Sequence, residues 1–221
     1  MSEVSKYFDE IAKDYHRYKE RYKYYYDNLK KLLVRLIPSG KRVLEVGCGT
    51  GELLFSLKPN LGYGIDISYE MIKIAKAKYA KSKNLSFSIN KVTAFKGKNL
   101  DYILLSDVIE HLEEPEKMIS DISKIMTDKT NLVITMANPL WEPLLMLWEK
   151  LKLKMPEGKH KRLSYVDIKN FIDKSGLKVE RHDYYLLIPV KIPLITNFVN
   201  KYLEKVFKKY AFIEYMIVTK L

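Results

Sequence analysis

Val43-Leu44-Glu45-Val46-Gly47-Cys48-Gly49-Thr50-Gly51, with Gly64-Ile65-Asp66 shortly after it, decides how this chain folds. An apolar run enters a glycine-rich turn, and an acid closes the next apolar run. Glycines at alternate positions let a backbone turn tightly and approach a ligand where any Cβ would clash. Asp66 stands nineteen residues after Gly47, near the roughly 20 expected of an acid that takes ribose hydroxyls at the tip of a second strand. The pattern predicts a nucleoside site.

The details narrow which nucleoside. A dinucleotide fingerprint reads G-x-G-x-x-G, with its third glycine where the helix packs on the strand. Here the spacing is G-x-G-x-G, and position 52 is Glu52. A pyrophosphate approaching that helix start would meet a carboxylate, whereas a cationic sulfonium would not be repelled. Glu45, inside the strand, makes the same point. On these residues the chain resembles the class I S-adenosylmethionine-dependent methyltransferases, whose first motif runs (Val/Leu)-Leu-(Asp/Glu)-x-Gly-x-Gly-x-Gly. Ser106-Asp107-Val108-Ile109-Glu110-His111-Leu112, with Pro115 beyond, is similar to the Leu-Glu-His segment of the small-molecule, ubiquinone-biosynthesis type. The resemblance covers nearly all of residues 5–187. It implies a Rossmann-like α/β fold with a seven-stranded, mostly parallel sheet, an antiparallel last strand and helices on both faces.

Strand and helix signals alternate along the chain, as a parallel sheet requires. Strands are predicted at 42–47, 62–67, 85–89, 102–106, 132–136, 178–187 and 212–219, and helices at 50–57, 69–80, 115–126 and 165–175. The last helix is well punctuated: Ser164 can cap it, Asp167 stands at its third position, and Gly176 ends it. The length of 221 residues suits one domain. Within it, 1–40 reads as a helical lid, 41–137 as the cofactor-binding core, and 138–163 and 188–210 as substrate-side insertions.

Composition bounds the function. One cysteine excludes an internal disulfide and a multi-cysteine metal site, and no His/Asp/Glu cluster has metal-ligand spacing. The beginning lacks a basic-then-apolar signal, and no uncharged apolar run is long enough to span a membrane, so a cytoplasmic protein is expected. The net charge is +12, and residues 138–221 alone carry sixteen basic and nine acidic groups. Lysine outnumbers arginine 33 to 6, which argues against sequence-specific nucleic-acid reading, where arginine forks dominate.

Both insertions are apolar and basic. Trp141, Leu144, Leu145, Trp148, Leu151 and Met155 recur at helical spacing, as do Ile195, Phe198, Val199, Tyr202, Leu203 and Val206 beside Lys201, Lys205, Lys208 and Lys209. Such stripes suit peripheral membrane contact through 139–155 and 192–210. They equally suit packing on the domain or on the second copy of a homodimer.

The resemblance implies roles for single residues. Gly47, Cys48, Gly49 and Gly51 shape the loop beside the methionine end of S-adenosylmethionine, with Cys48 a small filler. Glu45 meets the ammonium, Asp66 the ribose, and Ile67 flanks the adenine. Relatives end their third strand in an acid that contacts the adenine amine; here Asn90 stands in its place. Asp107 and Val108 lie near the cofactor. In the tyrosine-rich start, Tyr15 covers the methionine moiety and Arg21 pairs with its carboxylate. His111 and His160 are the candidate bases, each also readable as structural. The expected activity is methyl transfer to a small or lipid-like acceptor, at oxygen or at carbon. An RNA or protein methyltransferase, or a cofactor-binding regulator without turnover, remains open.

Overall fold

The computed structural model describes residues 3–97, 99–150 and 162–221. Three helices lead: α1 (Glu3–Ile11), α2 (Tyr15–Arg21) and α3 (Lys23–Leu36). Strand and helix then alternate through β1 (Arg42–Val46), α4 (Glu52–Ser56), β2 (Leu61–Asp66), α5 (Tyr69–Lys78), β3 (Leu85–Ile89), β4 (Tyr102–Ser106), α6 (Pro115–Ile125) and β5 (Asn131–Ala137). The last part holds α7 (Glu142–Lys150), α8 (Tyr165–Lys174), β6 (Leu177–Tyr185), α9 (Ile195–Phe198) and β7 (Ile213–Lys220). Every predicted strand and helix is present, with ends differing by one or two residues.

One seven-stranded sheet runs in the order β3-β2-β1-β4-β5-β7-β6. Pairs are parallel except those of β7, which is antiparallel to both β5 and β6. The central strands are continuous apolar runs because both faces are covered. Val43, Leu104, Val133 and Tyr215 pack against α3, α4 and α5, whereas Leu44, Leu105, Ile134 and Met216 pack against α6 and α8. The alternation is the period of two of a strand, read on two buried faces.

Local chemistry sets the helix boundaries. Gly51, at φ +78°, is the N-cap of α4, which therefore starts at Glu52 rather than at Thr50. Ser164 and Asp167 form a capping box on α8, and Gly176 follows it at φ +69°. Asp9 of α1 serves α5: its Oδ1 accepts from Ser68 Oγ at 2.6 Å and from Glu70 N at 3.0 Å. A carboxylate there suits the positive end of that helix, and it fastens α1 over the turn after β2.

The two insertions are tied where they leave the sheet. Asn138 Nδ2 donates to the carbonyls of Lys209 and Ala211, each at 2.9 Å, and Trp141 Nε1 donates to Tyr210 O at 2.9 Å. The stripe of the first insertion turns inward in part: Leu145 is buried, and Trp141 and Trp148 pack on the core, but Leu144 is exposed. Leu151 and Met155 lie outside the described residues. Among the described residues, no helix is long and apolar enough to cross a membrane.

Candidate functional site

Strand order reverses between β1 and β4, and in open α/β sheets ligands bind beyond the carboxyl ends of the strands at such a switch point. A cavity of about 520 Å³ lies there. Gly47, Cys48 and Gly49 after β1 line it, with Asp66 and Ile67 after β2, Asn90 and Val92 after β3, and Ser106, Asp107 and Val108 after β4.

The glycine loop is held by the neighbouring strand. Gly47 N and Cys48 N donate to Ile65 O at 2.8 and 3.1 Å. Gly49 N donates to Asp66 Oδ2 at 2.8 Å, and Ser68 N donates to Oδ1 at 2.9 Å. The expected ribose acid thus also fixes the loop's shape. Burial pushes its carboxyl up, against the pull of the Ser68 and Gly49 bonds. A carboxylate has about four acceptor positions, so two backbone bonds leave capacity for a ligand. A Cβ on Gly47, at φ +72°, would lie 2.5 Å from Val108 Cγ2. Only glycine fits where the β1 and β4 turns meet.

Two more carboxylates face the loop. Glu45 is 1% exposed, and its Oε2 accepts from Leu54 N at 3.0 Å. Burial pushes its carboxyl up to about 8, with Lys19 opposing. Asp107 sits at φ +52°, uncommon for a residue with a Cβ. Its Oδ2 accepts from the Tyr25 hydroxyl at 2.6 Å, and its N–H donates to Thr135 O at 3.0 Å. Burial first, then Asp107, push the Tyr25 phenol well above its usual range, so it remains a donor. This bond fastens α3 across the cavity to the end of β4.

Of the residues expected from the sequence, Tyr15, Glu45, Gly47, Cys48, Gly49, Asp66, Ile67, Asn90, Asp107, Val108 and His111 come together around the cavity. Gly51 and Arg21 do not line it. Gly51 serves packing, since a Cβ there would lie 2.6 Å from the Phe87 ring. Arg21 rests over the ring of Tyr22 at 5.9 Å. The cation that residues 1–40 bring to the cavity is Lys19, 4.9 Å above the Tyr15 ring and 3.4 Å from Glu52. Lys19 follows Tyr15 by four residues on α2, a spacing that puts both on one helix face and so could have marked it. Glu52 is outside the wall. Burial would raise its carboxyl, but Lys19 and Lys78 outweigh that and hold it low. Glu52 is taken up by these two lysines, so the repulsion expected from it at the helix start does not act at the cavity wall.

The Asn90 side chain accepts from its own Lys91 N at 3.0 Å. His160 lies outside the described residues. His182 is away from the cavity wall, stacked on Tyr165 at 3.8 Å and bonded to Glu214 at 2.6 Å. Phe8, Leu145, Trp148, Val190 and Phe212 give the wall an apolar part, and Glu110, Glu113, Glu114, Lys117 and Asp121 also line it; the His111 ring packs edge-on against Phe8 at 6.0 Å. Four of these five apolar residues come from the last two fifths of the chain; Leu145 and Trp148 belong to the helical stripe of the first insertion, and no local motif marks Val190 and Phe212.

Comparison with known proteins agrees with this geometry. A family model described as a methyltransferase domain matches residues 15–182. An uncharacterized protein of Methanocaldococcus jannaschii is 32% identical over 127 residues, 58% of this chain and 59% of that protein. A ubiquinone biosynthesis O-methyltransferase of Bartonella quintana is 29% identical over 160 residues, 66% of this chain and 64% of that protein. The chain thus spans less than two thirds of the length of these two relatives. Magnesium protoporphyrin IX methyltransferase from Synechocystis, solved with bound SAH, superposes with a TM-score of 0.71 at 18% identity, covering 99% of this chain and 98% of that one. That likeness is one of fold.

Proposed function

Because this chain belongs to the methyltransferase-domain family, we propose that it binds S-adenosylmethionine at the glycine loop and methylates a small, lipid-like acceptor, at oxygen or at carbon. The observation that carries the reading is the continuity of one cavity from the Asp66 carboxylate to the apolar wall of Phe8, Trp148, Val190 and Phe212.

The residues present fit the cofactor. Asp66 retains acceptor capacity for a ribose, and Ile67, Met71 and Val92 offer an apolar slot beside it. Asp66 and Asp107 set carboxylates around the loop, which suits a ligand with sulfonium and ammonium groups and disfavours a pyrophosphate, and the buried, protonated Glu45 carboxyl adds a hydrogen-bonding group beside them. Bound there, the cofactor supplies an already activated methyl group. The protein's part is then to align the acceptor and to exclude water, and holding reactants in line supplies much of such a rate. His111 is the candidate to take a proton from an acceptor hydroxyl. An apolar acceptor of this kind is met at a bilayer, so the enzyme would work as a peripheral membrane protein.

The test uses methyl-labelled S-adenosylmethionine, the full chain and a whole-cell extract, with label followed into organic and aqueous phases. Asp66→Asn serves as the control, its folding checked by thermal denaturation. The expected result is label in the organic phase, lost in the variant. Label confined to RNA or protein would overturn the acceptor class. Tight cofactor binding with no label in any fraction would overturn turnover itself.

A further inference from the structure

The second insertion folds with its polar face inward. Thr196 is 1% exposed; its hydroxyl donates to Val190 O at 2.9 Å and accepts from Ile192 N at 2.8 Å. Asn200 Oδ1 accepts from Ile188 N at 2.8 Å, and its Nδ2 donates to Ile188 O at 3.0 Å and to the Tyr24 hydroxyl at 3.2 Å. Glu204 Oε2 accepts from Leu186 N at 3.1 Å. These three recur at intervals of four along α9 and the π-helical turn Val199–Leu203 that continues it, so they form one face. That face is spent on fastening the connection between Leu186 and Ile192.

Most of the apolar residues are therefore turned out, while Val199 and Leu203 are half-buried. Leu194, Ile195, Phe198, Tyr202 and Val206 are 89%, 53%, 58%, 56% and 74% exposed. Single exposed apolar side chains are ordinary on a protein surface. A row of them on the side of a helix away from its inward polar face is an interaction surface. Its surroundings say of what kind. Residues 188–210 hold Lys191, Lys201, Lys205, Lys208 and Lys209 against the single acid Glu204, and that acid is turned inward. Among the described residues, Lys208 is drawn off to Asp183 at 2.6 Å, and Lys201 lies over the Tyr202 ring at 5.1 Å.

We infer that the outer face of residues 194–207 docks on an anionic lipid bilayer, with Phe198, Tyr202 and Val206 in the interface and the lysines among the headgroups. Aromatic and aliphatic groups beside lysines match that boundary. A second copy of the chain is the poorer occupant, because a two-fold contact would set lysine row against lysine row. The same segment begins with Pro189 and Val190, which line the cavity, so a docked bilayer would adjoin the acceptor end. That purpose rests on the lipid-like acceptor proposed above; the docking rests on the exposed face alone.

Flotation of the full chain with phosphatidylcholine vesicles, with and without phosphatidylglycerol, tests it without cofactor or acceptor. The expected result is association only with anionic vesicles, lost at high salt. Lys201→Glu with Lys205→Glu should weaken it more than tenfold, since each basic residue near such a surface is worth about fivefold. Phe198→Ser with Val206→Ser, both at exposed positions, should abolish it with an unchanged melting temperature. Absence of flotation at low salt, or flotation equal in both variants, overturns the proposal. So does self-association in sedimentation that the serine variant abolishes, which would assign the face to a second copy. A protein that floats but methylates nothing overturns the acceptor reading and leaves the docking intact.

Discussion

Replacing Gly47 by alanine should destabilise the protein by about 2–5 kcal/mol, and the structure says how that divides. Gly47 sits at φ +72°, where a Cβ costs about 1–2 kcal/mol. The new Cβ would also lie 2.5 Å from Val108 Cγ2, 3.2 Å from Cγ1 and 3.4 Å from Cβ. Overpacking of that kind costs about 1–3 kcal/mol. Val108→Ala removes both Cγ atoms and leaves the remaining contact at 3.4 Å, ordinary van der Waals distance. The double variant should therefore recover the clash but not the backbone strain. Denaturant unfolding of the two single variants and the double variant measures this as a coupling energy of about 1–3 kcal/mol in favour of the double. Gly47→Ala alone should lower the melting temperature by several degrees, at about 2–4 °C per kcal/mol for a chain of this size. A single-variant cost below about 1 kcal/mol, or strict additivity, would refute the close approach of the β1 and β4 turns.

Glu45 predicts a pH effect. Its carboxyl is raised by burial to about 8 from an ordinary 4.5, so the folded state holds a proton that the unfolded chain releases at lower pH. Stability should fall as pH rises between those values, by up to about 1.4 kcal/mol per unit. The melting temperature of the ligand-free protein relative to Glu45→Gln, followed from pH 5 to 9, should drop through that window and level off above it; a flat difference would remove the buried carboxyl from the account. Tyr25→Phe deletes the 2.6 Å bond to Asp107. A hydrogen bond to a charged group is worth about 1.5–3 kcal/mol, so unfolding should show a loss of that size and cofactor affinity should fall with it. An unchanged affinity would show that Asp107 is held without α3.

A cavity with carboxylates on its wall, in a chain of net charge +12, divides the electrostatics by place. Asp66 and Asp107 hold the inside, beside the protonated Glu45 carboxyl, and the lysines of 188–210 hold the outside. The inner acids suit a cationic cofactor, and the outer bases suit an anionic surface, so neither ligand is attracted to the other's site.

Much of this was legible in the residues because it is local. A strand is a run of buried apolar residues, a tight turn needs glycine, and a helix start needs a capping side chain. Val43–Gly51, Asp66 and the Ser164 box satisfy those rules within a few residues of themselves. What depended on distant partners was not legible. Seven tyrosines crowd the first 26 residues, and although the resemblance picks out Tyr15, nothing local separates Tyr25, which faces the cavity, from Tyr24, which bonds Asn200. Lys19 rather than Arg21 faces the cavity because α2 lies against the glycine loop on that side. The stripe at 195–206 was visible as a helix pattern, yet its direction was not. A hydrophobic period states which residues share a face; it does not state which way the face turns. Here the turn was set by hydrogen bonds that Thr196 and Asn200 donate to the carbonyls of Val190 and Ile188 and that Glu204 accepts from Leu186 N. Buried backbone groups must find partners, and only the folded chain shows that these were found on the helix's polar side, leaving its apolar side outward.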